Sequence, residues 1–281
     1  MPTPIYFVDA SQLQQHSDAA AWAAANQFDA KAGTYCLVPG TDGALVKVLV
    51  GKPDVMETWS IAALSRRLPV DEYQLADAWD VATATKLYLG WQLGQYQFSR
   101  YKQSTPPTLP SLTLPNGVNI DHVQAITEAT YLVRDLINTP ANDMGPQELE
   151  FTARDLANTY SAELSVITGE ALLTENYPMI HAVGRASSRA PRLIDLRWGD
   201  PSAPKVTLVG KGVCFDSGGL DLKSAKGMKM MKKDMGGAAQ TLGLAKLIMQ
   251  RHVPVRLRLL VAAVENSVSG NATRPMDVLH P

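Results

Sequence analysis

The sequence predicts an α/β protein in two parts. A small N-terminal α/β domain covers residues 1–117, a joining helix covers 118–140, and a C-terminal α/β domain over 141–281 is built on a mainly parallel central sheet. Three observations carry this. Past residue 140, short apolar runs alternate with segments of helical spacing, the pattern of strands and helices wound into a parallel sheet. Pro106, Pro107, Pro110 and Pro115, ending in Asn116-Gly117, interrupt helix and sheet alike and mark a boundary. At 281 residues the chain is long enough for one large domain or two.

In the first part, Ile5-Tyr6-Phe7-Val8 reads as a strand and Ser11 to Phe28 as an alanine-rich helix capped by Ser11. Thr34 to Pro39 and Ala44 to Val50 read as a hairpin, because Gly40-Thr41-Asp42-Gly43 between them is turn chemistry. Ser60 to Leu68 and Val81 to Leu93 have helical periodicity. Trp22, Trp59, Trp79 and Trp91 read as packing anchors. In the second part, Val123, Ile126, Ala129, Leu132 and Leu136 set a helix over 121–137. It stops at Asn138-Thr139-Pro140, since the residue before a proline resists helical geometry. Pro146 suits the first position of the next helix, which runs to about Tyr160. Leu164 to Ile167, Arg192 to Leu196, Val206 to Val209 and Val255 to Val264 read as strands. A short helix from Glu170 and a long one over Ala238 to Arg251 fall among them.

Composition narrows the function classes. A formal net charge of −1 and a pI near 6.5 give no global attraction for nucleic acid or an anionic membrane. Cys36 and Cys214 are too few and too distant for a disulfide framework, so a cytoplasmic setting is expected. The N-terminus lacks the basic and apolar regions of a secretory signal, and no apolar run approaches the ~20 residues that span a bilayer. His16, His122, His181, His252 and His280 have no metal-type spacing, so carboxylates must hold any metal.

The chemistry gathers between Lys205 and Gln240. Val206 to Val209 runs into Gly210-Lys211-Gly212. Asp216 then precedes Ser217-Gly218-Gly219, Lys223 follows Asp221-Leu222, and Asp234 precedes Met235-Gly236-Gly237. In parallel sheets ligands bind beyond the carboxyl ends of the strands, where this segment and Glu265-Asn266 fall. Asp216 and Asp234 supply hard oxygen ligands, and carboxylates can bridge two divalent ions. A buried amine beside a dication loses its proton readily, through desolvation and the neighbouring charge, so Lys211, pinned between Gly210 and Gly212, has the chemistry to coordinate as a neutral amine. Lys223, kept charged, suits a developing oxyanion. Ordinary turn and cap chemistry also accounts for these glycine motifs. A phosphate cradle fits less well, since the pattern is not G-x-x-x-x-G-K-[ST] and the carboxylates would repel a phosphate. Lys226, Lys229, Lys232 and Lys233 read as solvated surface, and Met228, Met230, Met231 and Met235 as core filler.

Val209-Gly210-Lys211-Gly212, Phe215-Asp216-Ser217-Gly218-Gly219, Lys223 and the run from Met231 to Ala239 closely resemble the leucyl aminopeptidase (cytosol aminopeptidase) family. Arg134 to Pro146 resembles the segment where that family's linking helix enters its catalytic domain. The piece from Glu265-Asn266 through Ser269-Gly270 and Arg274-Pro275 to Asp277-Val278 extends the likeness. Residues 125–281 carry it strongly, and residues 1–115 only in general character.

The resemblance implies a metalloprotease: a two-metal exopeptidase, with zinc, or manganese or magnesium, that removes N-terminal residues from peptides. By position, Lys211, Asp216 and Asp234 would be metal ligands, with Asp216 bridging both ions. Lys223 would polarise the scissile carbonyl and hold the gem-diolate, and Met231 would help line the pocket for the first side chain. The family assembles as hexamers of two stacked trimers. Its Asn-Thr-Asp-Ala-Glu-Gly-Arg segment does not occur in these residues, which end at His280-Pro281. In the family that segment completes both metal sites, and its arginine helps hold a bicarbonate acting as general base. The expectation is a truncated catalytic domain with part of a dinuclear site and little or no peptidase activity alone. An expectation of another class is a non-catalytic binding or assembly protein derived from the family, with DNA as a candidate partner.

Overall fold

The structure, a computed structural model, describes residues 1–103 and 105–279; Ser104, His280 and Pro281 lie outside the described residues. Its contacts divide the chain into two units, Met1–Thr127 and Glu128 onward.

The first unit runs β1 (Thr3–Val8), α1 (Ala10–Leu13), α2 (Ala20–Ala25), β2 (Tyr35–Pro39), β3 (Leu45–Gly51), α3 (Leu64–Arg67), β4 (Glu72–Leu75), α4 (Val81–Gly94) and β5 (Ser111–Leu112). Its sheet has the order β2-β3-β1-β4-β5. β2 and β3 pair antiparallel as the hairpin signal predicts, and the other pairings are parallel. The single helix expected over Ser11 to Phe28 is broken. Asp9, not Ser11, caps α1: its carboxylate accepts the Ser11 and Gln12 N–H groups at 2.8 Å each, while Gln12 Oε1 accepts the Asp9 N–H. A 3-10 turn over Ser17–Ala19 then separates α1 from α2. β5 lies inside the proline run expected to exclude sheet. It is an edge strand of two residues, and such an edge tolerates the flanking Pro110. Trp91 is a fully buried anchor, whereas Trp22 and Trp59 are exposed.

The second unit contains most of α5 (Ile120–Asn138), followed by α6 (Pro146–Tyr160), β6 (Glu163–Thr168), α7 (Ala171–Thr174), α8 (Pro178–Gly184) and β7 (Arg192–Trp198). β8 (Lys205–Asp216), α9 (Ala225–Met228), α10 (Gly236–Gln250) and β9 (Arg256–Asn266) complete it. Pro146 opens α6 as its sequence position predicts, and Ser161, at φ 55°, ends it in the left-handed conformation. The α/β class holds, but the sheet, β6-β7-β9-β8, is mixed. β6/β7 and β7/β9 pair antiparallel, and β8/β9 pair parallel. Strand–helix alternation misleads here because α7 and α8 do not carry the chain back to the starting end of the sheet, so β7 returns beside β6 in the opposite sense. Leu149, Leu196, Leu242, Leu259 and Val261 form a core between the sheet and the helices α6 and α10. Among the described residues no helix is long and apolar enough to cross a membrane.

Candidate active site

The strand expected to stop at Val209 continues to Asp216, so Gly210 and Gly212 are strand residues, not a turn. Their role is close approach. A Cβ on Gly210 would lie 2.4 Å from Thr241 Oγ1 and 2.7 Å from the Ala238 Cα, and one on Gly237 would lie 3.0 Å from the Lys211 backbone nitrogen. The start of α10 can therefore press directly on β8. That contact carries the 3-10 turn Met231–Met235, with Asp234 on it, up to Lys211.

Lys211 Nζ lies 3.0 Å from Asp234 Oδ2. The Lys211 side chain is 61% exposed, in contrast to the buried amine that the sequence favours, because β8 is the sheet's edge strand. The Asp234 side chain is only 15% exposed, and its Oδ2 has no aligned hydrogen-bond donor among the described residues. The lysine is near enough for charge attraction but does not satisfy that oxygen.

Asp216 is placed differently. β8 and β9 pair in step from Lys205/Arg256 to Val213/Val264; the register then shifts so that Asp216 pairs with Asn266. One extra residue on β8 makes a bulge, a device that re-aims a side chain. The chain next reverses through Gly218 and Gly219, at φ +92° and +75°, and the Lys223 N–H closes the turn on the Ser217 carbonyl at 3.0 Å. This brings Lys223 Nζ to 3.1 Å from Asp216 Oδ2. Asp216 Oδ1 accepts the Gly218 N–H at 3.0 Å and the Asn266 side-chain amide at 2.8 Å. Burial pushes the Asp216 carboxyl up, but Lys223, Gly218 and Asn266 outweigh it and hold the group below the ordinary aspartate range.

Met231 is partly buried in the same turn as Asp234, and Met235 is wholly buried as core filler. Lys232 corrects the solvated-surface reading. It is 8% exposed, and its Nζ donates to the Ile137 and Asn138 carbonyls at 2.7 and 2.8 Å, the C-terminal end of α5. The last carbonyls of a helix point out of its end and carry its partial negative charge, so a buried cation there is well placed. Cys214 is a packing residue: burial, with Glu265 adding to it, drives its thiol strongly upward and keeps it protonated.

Sequence reasoning placed Glu265 at a strand's carboxyl end, and named Arg274 and Asp277 only as part of a resemblance. Glu265 is 1% exposed, pairs with Arg274 and accepts the Ser187 hydroxyl at 3.1 Å. Arg274 also reaches Asp277 at 3.3 Å, and Asp277 Oδ1 accepts the Asn142 N–H at 3.1 Å. This network ties the end of β9 to the loop before α6. Separation in sequence hid it.

One test of a metal at this site is whether the residues fit. A screened carboxylate oxygen without an aligned donor suits a divalent cation, and Asp216 is a second hard carboxylate on the neighbouring strand end. Among the described residues no group of three or more His, Cys, Asp or Glu gathers, so these donors amount to a partial set. They fit the group without completing its shell.

Residues 131–281 match the model of the cytosol aminopeptidase family, catalytic domain, and residues 7–115 match the M17 aminopeptidase N-terminal domain. The chain belongs to the cytosol aminopeptidase family. A probable cytosol aminopeptidase of Roseiflexus castenholzii is 33% identical over 250 residues, covering 81% of this chain and 51% of that protein. The crystal structure of cytosol aminopeptidase from Coxiella burnetii matches with a TM-score of 0.90 and 46% identity, covering 99% of this chain and 62% of that one. The bottromycin maturation enzyme BotP in complex with Mn matches with a TM-score of 0.80 and 30% identity, covering 98% of this chain and 62% of that one. The chain thus spans about half the length of the curated relatives it matches.

Proposed function

We propose that this chain carries one half of the dinuclear site of a metalloaminopeptidase, which releases N-terminal residues from peptides. The observation that carries the reading is the meeting of two amine–carboxylate pairs, Lys211–Asp234 and Lys223–Asp216, on a single edge strand and the turns that follow it. Lys211, Asp216 and Asp234 would hold the metal, with Asp216 shared. When bound, the ions supply an activated water and a Lewis acid for the scissile carbonyl. Lys223 presents a cation to the carbonyl oxygen as negative charge develops there. Met231 stands beside Asp234 on the same turn, where it would meet the substrate's first side chain.

The Mn-bound neighbour supports manganese, and zinc or magnesium suits the same hard ligands. The relatives' name supports a cytoplasmic setting, while the hexamer and the bicarbonate base rest on the resemblance. Three donors among the described residues are too few to hold two ions firmly, so these residues by themselves would support little peptidase activity.

Calorimetric titration with Mn2+, beside a leucine amide hydrolysis assay, tests this. Uptake that Lys211→Ala and Asp234→Asn each abolish, with turnover near background, is the expected result. No uptake by the unsubstituted protein would overturn the metal site, and brisk turnover would overturn the low activity.

A further inference from the structure

Asn266 ends β9 and faces Asp216 across the bulge. Its two halves do different work. The backbone carbonyl accepts both the Ser217 N–H at 3.0 Å and the Ser217 hydroxyl at 2.8 Å, which fixes the turn after β8. Any residue at this position would supply that carbonyl. The side-chain amide instead donates to Asp216 Oδ1 at 2.8 Å. With the Gly218 N–H at 3.0 Å on the same oxygen, the carboxylate plane is set and Oδ2 is turned toward Lys223.

We infer that Asn266 is a positioning residue for Asp216: a neutral amide that fixes the carboxylate's orientation and directs Oδ2 toward the cation it is to hold. The inference rests on the metal-site reading above. The choice of an amide has a chemical reason. Lysine or arginine here would hold Asp216 equally well but bring a positive charge against an incoming divalent ion. Aspartate would repel Asp216 and offer no donor. Asparagine donates one hydrogen bond and adds no further positive charge to that of Lys223, which already faces Oδ2. Its own position is rigid, because the neighbouring Glu265 is buried and tied by Arg274 and Ser187. Outer partners of this kind tune metal affinity by about 10–100-fold.

The test is Mn2+ titration by calorimetry with the 281-residue protein and its Asn266→Ala, Asp216→Asn and doubly substituted variants, each checked by thermal unfolding. Asn266→Ala should weaken Mn2+ binding about tenfold or more with little change in Tm, and Asn266→Gln should recover part of the loss. Added to Asp216→Asn, Asn266→Ala should cost nothing further, because the residue it positions is already gone. Unchanged Mn2+ affinity in Asn266→Ala, or an equal loss on top of Asp216→Asn, overturns the inference and leaves the metal site standing. Absence of Mn2+ uptake by the unsubstituted protein overturns both.

Discussion

Asp195, in the middle of β7, receives Nε and Nη2 of Arg258 at 3.0 and 2.8 Å and Nη2 of Arg197 at 2.8 Å. Asp234, on the 3-10 turn just before α10, has Lys211 at 3.0 Å and an oxygen that no donor among the described residues satisfies. Both carboxylates are largely screened from water and both face cations, yet one is saturated and the other held in reserve. The difference follows from the cations. Arginine keeps its charge at every accessible pH and fills a carboxylate with a planar fork, whereas lysine is a flexible point charge that can give up its proton. An acid locked by arginines has both oxygens filled, and the acid beside a lysine keeps one oxygen without an aligned donor among the described residues.

The comparison breaks most readily at a third acid on the arginine side. Replacing Glu265 by Gln leaves Arg274 with Asp277 as its remaining acid in a buried setting. Denaturation in urea should show a loss of about 3 kcal/mol; an unchanged midpoint would mean that arginine-held acids are not structural here.

Asp195→Asn should cost less, about 1–2 kcal/mol, because both arginines are about half exposed. Burial alone would raise the Asp195 carboxyl, but bonding to Arg258 and Arg197 holds it below the ordinary aspartate range. The ionised form therefore favours folding above that range, and its contribution fades as pH falls through the lowered folded value. Measured as Tm against pH, the acid limb should be flatter in Asp195→Asn than in the unsubstituted protein.

The smallest effect sharpens the contrast. Asp234→Asn should leave stability within about 0.5 kcal/mol, or raise it, since a charge with no aligned donor is removed. A urea midpoint falling as far as that of Asp195→Asn would place Asp234 among the structural acids.

Much of the architecture could be read before the fold was known. The Gly40–Gly43 turn, Pro146 at the head of α6 and the apolar spacing of α5 are local signals, set by a few neighbouring residues. The same reasoning placed a turn at Gly210-Lys211-Gly212, where the strand runs on. Glycine in a sequence marks either a sharp bend or a close approach, and only the α10 packing tells which. Lys232 fails for a related reason. Surrounded in sequence by other lysines, it looks solvated until the end of α5 arrives over it.

Local chemistry in the sequence was enough to name the candidate residues: Lys211, Asp216, Lys223, Asp234 and the glycines among them. Their pairing was not, because Lys211 meets Asp234 and Lys223 meets Asp216 through a helix start and a bulged register that no short stretch encodes. Tertiary structure alone decided that one carboxylate oxygen stays without a donor and that Asn266, 50 residues from Asp216, orients the other acid. Hydrogen bonding and burial are properties of surroundings, and surroundings exist only once the strands have been laid side by side.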